Sequence, residues 1–283
     1  MIESEERIVK KPQIPNSPNI KLHTNNLSRT MIILVFTSLL LITGYTLTHL
    51  DTANVQIGSA FKELSTTLHQ MFLQPNTGTD GFIELLQGLG MSLLISVMTT
   101  IIGAIFGFFF AVLASKNLTN IYLGTGIRVF MAIVRAIPTI IWALIFSIVC
   151  GLGSTAAILG LSFHSVAYLT KAYSESIEGI DDSTIESLKV TGARFWVIVF
   201  QAIWPTIMAS FVSWTFIRLE INFANAIAVG AAAGAGGIGY QLFVASGMSF
   251  DFHEVGFIVY LIIAVTFLLE FIAVKIRHLY LSR

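Results

Sequence analysis

The sequence predicts an all-α polytopic membrane protein of about six transmembrane helices, and three observations carry that prediction. Hydrophobic residues make up 55% of the 283-residue chain and charged residues only 11%, where a soluble domain carries roughly a quarter charged residues. Mean hydropathy is +0.80. The apolar residues come in long blocks rather than in alternation, which is the pattern of spanning helices and not of an outer-membrane barrel. Membrane lipid is therefore the main solvent of the chain.

Crossing the hydrocarbon layer takes about 20 apolar residues. The first such run covers residues 31–50. Residues 1–30 before it are polar, with Pro12, Pro15 and Pro18, and lack the early apolar region of a signal peptide. They read as a cytoplasmic tail. Residues 51–81, with Lys62 and Glu63, read as a polar extracytoplasmic loop. Residues 82–276 form the core, with five further helices. The second helix covers 82–115, and the third 124–150 as a single span bearing Pro138. Gly151 to Ser154 make a turn into the fourth, 155–173. A polar segment, 176–202, interrupts the apolar pattern before the fifth helix, 203–224. The stretch 226–250 is rich in glycine and alanine and reads as a flexible, re-entrant extracytoplasmic segment. The sixth helix covers 255–276, and 277–283 form a short tail.

Loop charges orient the bundle. Arg7, Lys10, Lys11, Lys21 and Arg29 precede the first helix; Lys116 follows the second; Lys189 and Arg194 lie between the fourth and fifth; Lys275, Arg277 and Arg283 close the chain. The opposite loops hold Lys62. The expectation is a multi-pass protein of the cell (cytoplasmic) membrane with both termini in the cytoplasm.

Other classes fall away. Formal net charge is zero, so no global field points to nucleic acid. The single cysteine, Cys150, excludes an intrachain disulfide. The sequence contains no G-x-x-x-x-G-K-[ST], no H-E-x-x-H, no clustered metal ligands and no nucleophile motif. No catalytic residue, metal site or cofactor site is expected on this chain.

Two groups of residues carry chemistry. In the polar segment, Asp181-Asp182-Ser183 can cap a short helix over 184–194, with Glu186 early and Lys189 and Arg194 late. Such a helix is either a plain amphipathic connector or a piece that docks in a groove of another protein. Within the membrane, Arg135, His164, Arg218, Glu220 and Asn222 stand out, because buried charge in hydrocarbon is costly unless paired or hydrated. Arg218 and Glu220, two apart on a helix, point to different faces. Glu220 is placed to meet Arg135 or Arg218 of a second copy. Donors such as Arg218, Asn222 and Asn225 suit a tetrahedral anion. The alternatives are structural ion pairs, snorkelling and interhelical hydrogen-bond glue.

The segment Glu186-Ser187-Leu188-Lys189-Val190-Thr191-Gly192, followed by Ala193 and with Pro205 thirteen residues after the glycine, resembles the "EAA" loop of ABC importer permeases. Glu186, Gly192 and Pro205 match that pattern; Ser187, Leu188, Ala202 and Trp204 depart from it. The run Arg135 to Phe146, which includes Trp142, is similar to the third-helix region of phosphonate ABC permeases of the PhnE type. So are His164-Ser165-Val166, Arg218 to Asn222 and Gly234 to Gly239. The resemblance implies a type I ABC importer permease fold, in which the loop is a coupling helix that inserts into an ATPase subunit. It implies two copies of that ATPase, which would hold the ATP and magnesium, and a second permease copy or a sister permease. It also implies an extracytoplasmic substrate-binding protein, and phosphonate or a related phosphorus oxyanion as cargo. Arg135, Trp142, His164, Arg218, Glu220 and Asn222 are the expected pathway residues. The competing reading is a secondary transporter or channel for a small anion, with Glu220 and Glu270 as its coupling carboxylates.

Overall fold

The computed structural model describes residues 26–49 and 57–281. Most of the predicted tail and residues 50–56 lie outside the described residues. Contacts divide the chain into two compact units, residues 1–60 and 61–283.

In the first unit, α1 (Asn26–His49) starts five residues earlier than the apolar run predicts. Its hydroxyl side chains are satisfied within the helix. Thr37, Thr43 and Thr46 each donate to the carbonyl four residues back, at 2.8 Å, which suits a helix surrounded by lipid.

The 51–81 stretch is not simply a loop, because α2 (Ile57–Leu73) occupies much of it. Apolar residues recur at helical spacing there and override the polar average. The end of α2 is pinned to α11 (Phe252–Leu281): Tyr260 donates to the Phe72 carbonyl at 2.8 Å, and Gly256 packs on the Met71 backbone.

Helix α3 (Phe82–Ala114) agrees with the predicted second span. At 33 residues it is about 50 Å long, more than the hydrocarbon thickness. Its buried stripe is made of small residues, Ser92, Ser96, Thr100, Gly103 and Gly107 among them. Helix α6 (Ser154–Glu178) lies along that stripe. A Cβ on Gly103 would sit 2.8 Å from the Ser165 Cβ, and one on Gly107 would sit 2.9 Å from the Leu169 Cβ. Glycine here serves close helix approach.

The predicted third span is broken. Helices α4 (Ile121–Ala136) and α5 (Thr139–Cys150) meet at 88°. Pro138 has no N–H and its ring drives Ile137 into the extended region, φ −86° and ψ 124°. Trp142 Nε1 reaches back across the break to the Val134 carbonyl at 2.9 Å, satisfying an acceptor that the end of α4 leaves open. Helix α5 then packs on α6 where Gly160 meets Ala143, and a Cβ there would lie 2.5 Å from the Ala143 backbone. Gly160→Val is expected to overpack this seam by about 1–3 kcal/mol. The check is a lowered thermal midpoint of the detergent-purified protein, and an unchanged midpoint would remove the seam from the fold's essentials.

The polar segment carries α7 (Asp182–Val190), shorter than the predicted 184–194 at its far end because Gly192, at φ +80°, turns the chain. The fifth span is longer than predicted. Helix α8 (Phe195–Ile198), a π-turn (Val199–Ile203) and α9 (Trp204–Ala233) form one 39-residue apolar run. Pro205 does not start it; it sits at the beginning of α9, where the π-turn relieves the missing N–H.

The glycine-rich stretch is largely helical, against expectation. Ala226 to Ala233 continue α9, and α10 (Gly237–Gly247) follows a turn at Gly234 and Gly236, with φ of +61° and +78°. Alanine is the best helix former. The glycines serve contact: Gly230 would bring a Cβ to 2.6 Å from the Gly236 carbonyl, and Gly239 abuts the Ile227 backbone.

Among the described residues, four helices are long and apolar enough to cross a membrane, or five counting the bent α4–α5 pair. The remaining span of the six-helix expectation is α6, 25 residues long but dotted with Ser, Thr, His, Lys and Glu. It tolerates them because α3, α4, α5 and α9 surround it.

Candidate functional site

The polar centre lies where α3, α6 and α9 cross. Arg218 of α9 is 1% exposed. Its Nε donates to Ser165 Oγ at 3.0 Å, its Nη2 lies 3.1 Å from His164 Nδ1, and the guanidinium sits 5.0 Å from the centre of the Tyr168 ring. Arginine can only donate, so His164 Nδ1 accepts and the ring proton is on Nε2.

A directed relay runs on from Arg218. Ser165 Oγ donates to Asn222 Oδ1 at 2.9 Å, Asn222 Nδ2 to Thr100 Oγ1 at 2.9 Å, and Thr100 to the Ser96 carbonyl at 2.7 Å. Each hydroxyl accepts once and donates once, so the register of three helices is set by one chain of bonds.

The charge of Arg218 is uncompensated. The two ion pairs among the described residues are Arg128–Glu178 and Lys171–Glu175, and neither touches it. Removing a cation from water costs several kcal/mol, and hydroxyl, imidazole and ring contacts return part of that. Two of the five guanidinium N–H groups are engaged by the bonds above.

The expected pathway residues do not all converge. Arg218, His164 and Asn222 come together, whereas Arg135 lines a cleft between α4 and α6. Trp142 lies in an aromatic group with Phe146 and Phe163, ring centres 6.5 and 5.1 Å away. Glu220 faces another side of α9, in a cleft with Phe223, Ile262 and Thr266. No carboxylate–cation pair reaches it among the described residues. Ser96, Thr100 and Tyr168 were not singled out by sequence. The Gly103-x-x-x-Gly107 spacing on α3 was the available signal for a close helix pair beside Thr100.

The second functional region is α7. Asp181 caps it by accepting from Ser183 N at 3.1 Å. Glu186, Ser187, Val190 and Gly192 are exposed, Leu188 and Ala193 half-buried. On the other face Ile185, 2% exposed, enters a cluster with Leu118, Ile177, Ile198 and Ile203. Polar ties reinforce it. Lys189 Nζ donates to the Asn117 carbonyl and Asn117 Nδ2 to the Ile177 carbonyl, both at 3.1 Å. Glu178 accepts from Lys116 N and pairs with Arg128, both at 2.9 Å. One face of α7 is thus bolted to the bundle and the other presented to solvent. Among the described residues no three His, Cys, Asp or Glu side chains are grouped to hold a metal ion.

Comparison with known proteins agrees with this layout. The chain is 30% identical over 180 residues to the phosphite transport system permease protein PtxC of Stutzerimonas stutzeri, covering 63% of this chain and 65% of that one. It is 29% identical over 196 residues to the phosphate-import permease protein PhnE of Mycolicibacterium smegmatis, covering 69% and 36% respectively. The matches thus span less than two thirds of either relative's length. Among solved structures, the MetNI methionine ABC transporter in inward-facing conformations has a similar fold. Its TM-score is 0.65 at 21% identity, covering 70% of this chain and 96% of that one. Residues 103–282 match the model of the binding-protein-dependent transport system inner membrane component. The chain belongs to that family, and its long apolar helices make it a multi-pass membrane protein.

Proposed function

We propose that this chain is the permease subunit of an ATP-driven importer that carries phosphonate, phosphite or a related phosphorus oxyanion. The observation that carries the reading is Arg218, buried at the helix crossing without a carboxylate partner among the described residues. The names of the phosphite and phosphate-import relatives favour the same cargo. Both termini and α7 face the cytoplasm, as the loop charges argue. The exposed face of α7 docks into an ATPase subunit, one for each of two permeases, and ATP and magnesium bind there. A second copy or a sister permease completes the pathway, and an extracytoplasmic binding protein delivers the cargo.

The mechanics follow from the packing. Ile185 ties α7 to the cluster that holds Tyr173 of α6 and Ile203 and Ile207 at the start of the fifth span. Tyr173 and Thr215 are joined by a 2.7 Å hydrogen bond between α7 and the Arg218 level. A displacement of α7 therefore moves α6 and α9 together, and these two helices carry Arg218 and its partners. The π-turn at Val199–Ile203 interrupts the α-helical ladder on that route and is where rigid-body rocking is absorbed.

The test is the ATPase rate of the reconstituted complex with its binding protein. Phosphite or methylphosphonate is expected to raise it and a quaternary ammonium compound to leave it at its basal level. Stimulation by the quaternary ammonium compound and by neither anion would overturn the cargo assignment.

A further inference from the structure

The cleft between α4 and α6 opens near the end of α6 that leads to α7. It encloses about 370 Å³, and its lining includes Lys116, Arg128, Arg135, Thr170, Lys171 and Glu178. Two of the four cations are spoken for: Arg128 pairs with Glu178 at 2.9 Å, and Lys171 approaches Glu175 at 3.6 Å. Lys116 and Arg135 have no carboxylate among the described residues. The cleft therefore carries an excess of positive charge.

Two buried polar atoms in it are unmatched. Thr170 is 1% exposed, yet its Oγ1 has no hydrogen-bond partner, and neither does the buried Nε of Arg135. Most buried polar groups in native proteins are paired, and an exception calls for an explanation. Thr170 and Arg135 line the same cationic cleft, and a single oxyanion with three acceptor oxygens can satisfy a hydroxyl and a guanidinium N–H together.

We infer that this cleft is a second anion site, which takes a tetrahedral phosphorus oxyanion as a free ion or as the phosphate of a lipid headgroup. The identity of the anion rests on the cargo proposed above; the site itself rests on Thr170 and Arg135. An anion there competes with Glu178 for Arg128. Glu178 also holds Lys116 N, beside the Asn117 carbonyl that receives Lys189 of α7. Occupancy of the cleft is thus felt at the coupling helix.

The experiment measures binding of radiolabelled inorganic phosphate to the complete importer in nanodiscs of zwitterionic lipid. Thr170→Val is expected to weaken one class of site about tenfold, equal to the loss of one charge-assisted hydrogen bond. Its thermal midpoint should stay level or rise, since no protein partner is lost. Arg135→Gln should abolish the same class, and Arg218→Gln the other. Phosphate binding that is unchanged in Thr170→Val and Arg135→Gln, and lost only in Arg218→Gln, overturns the cleft site and leaves the cargo reading standing. If wild type binds no phosphate but phosphite still stimulates its ATPase, the cleft alone fails; without stimulation either, the cargo reading fails too. Discs containing phosphatidylglycerol separate the sources. Loss of the Arg135-dependent class there identifies the lipid headgroup as occupant, and its persistence identifies the free anion.

Discussion

Arg218→Gln is expected to abolish uptake while leaving the bundle folded. Glutamine keeps a donor near Ser165 but removes the buried positive charge, and with it the electrostatic reason for an anion to leave water. Loss of one member of a buried charge–charge contact typically costs about 2–5 kcal/mol, or a fall of roughly 30-fold or more in affinity for the passing anion. Stability should change little. The variant loses the bonds to Ser165 and His164, worth about 1 kcal/mol each net. It also no longer keeps an unpaired guanidinium out of water, which offsets them. Arg218→Lys should fall between, because one ammonium cannot reproduce the planar fork that reaches Ser165 and His164 together. The measurement is uptake of labelled phosphite into proteoliposomes, with the thermal midpoint as control. Wild-type uptake by Arg218→Gln would remove the arginine from the pathway.

The second large effect is expected at α7. The double variant Glu186→Lys, Gly192→Val should release the ATPase subunit and leave the permease itself intact. Glu186 is exposed, so reversing its charge costs the isolated chain little, within about 0.5 kcal/mol. Gly192 has nothing within 4 Å of a would-be Cβ, yet holds φ +80°. A β-branched residue there costs about 1–2 kcal/mol in the backbone and changes the direction in which the chain leaves α7. Ile185→Ala is the contrasting variant. It empties part of the cluster below α7, should cost about 2–5 kcal/mol, and should lower the melting point of the permease directly. Affinity purification of the complex separates the two, since the double variant should yield folded permease without ATPase. An intact, ATP-hydrolysing complex from the double variant would show that α7 is only a connector.

Much of the bundle was legible in the chain. The apolar run from Phe82 ended within a residue of the observed α3, because Lys116 and Asn117 stop it. Asp181 announced the start of α7 by its capping chemistry. The failures share a cause. Pro138 was visible, but whether a proline kinks a helix or breaks it at 88° depends on what supports the two halves. Here Trp142 and the Gly160–Ala143 contact do so. Glycine and alanine after Ala226 read as flexible on average, whereas packed against neighbours they are what lets two helices touch.

Taken alone, the amino-acid sequence determined the solvent of this protein, the order of its spans, the charge asymmetry of its loops and the polar segment that carries α7. These are properties of composition and short-range period, which a chain displays whether folded or not. It also placed Arg218, His164 and Asn222 in the membrane as candidates. Only the tertiary structure decided their relation, because the bonds that join them connect residues 53 to 122 positions apart. Whether a buried arginine meets a carboxylate or, as here, a hydroxyl and an imidazole depends on which helix faces which. That is settled by the packing of α6 against both α3 and α9.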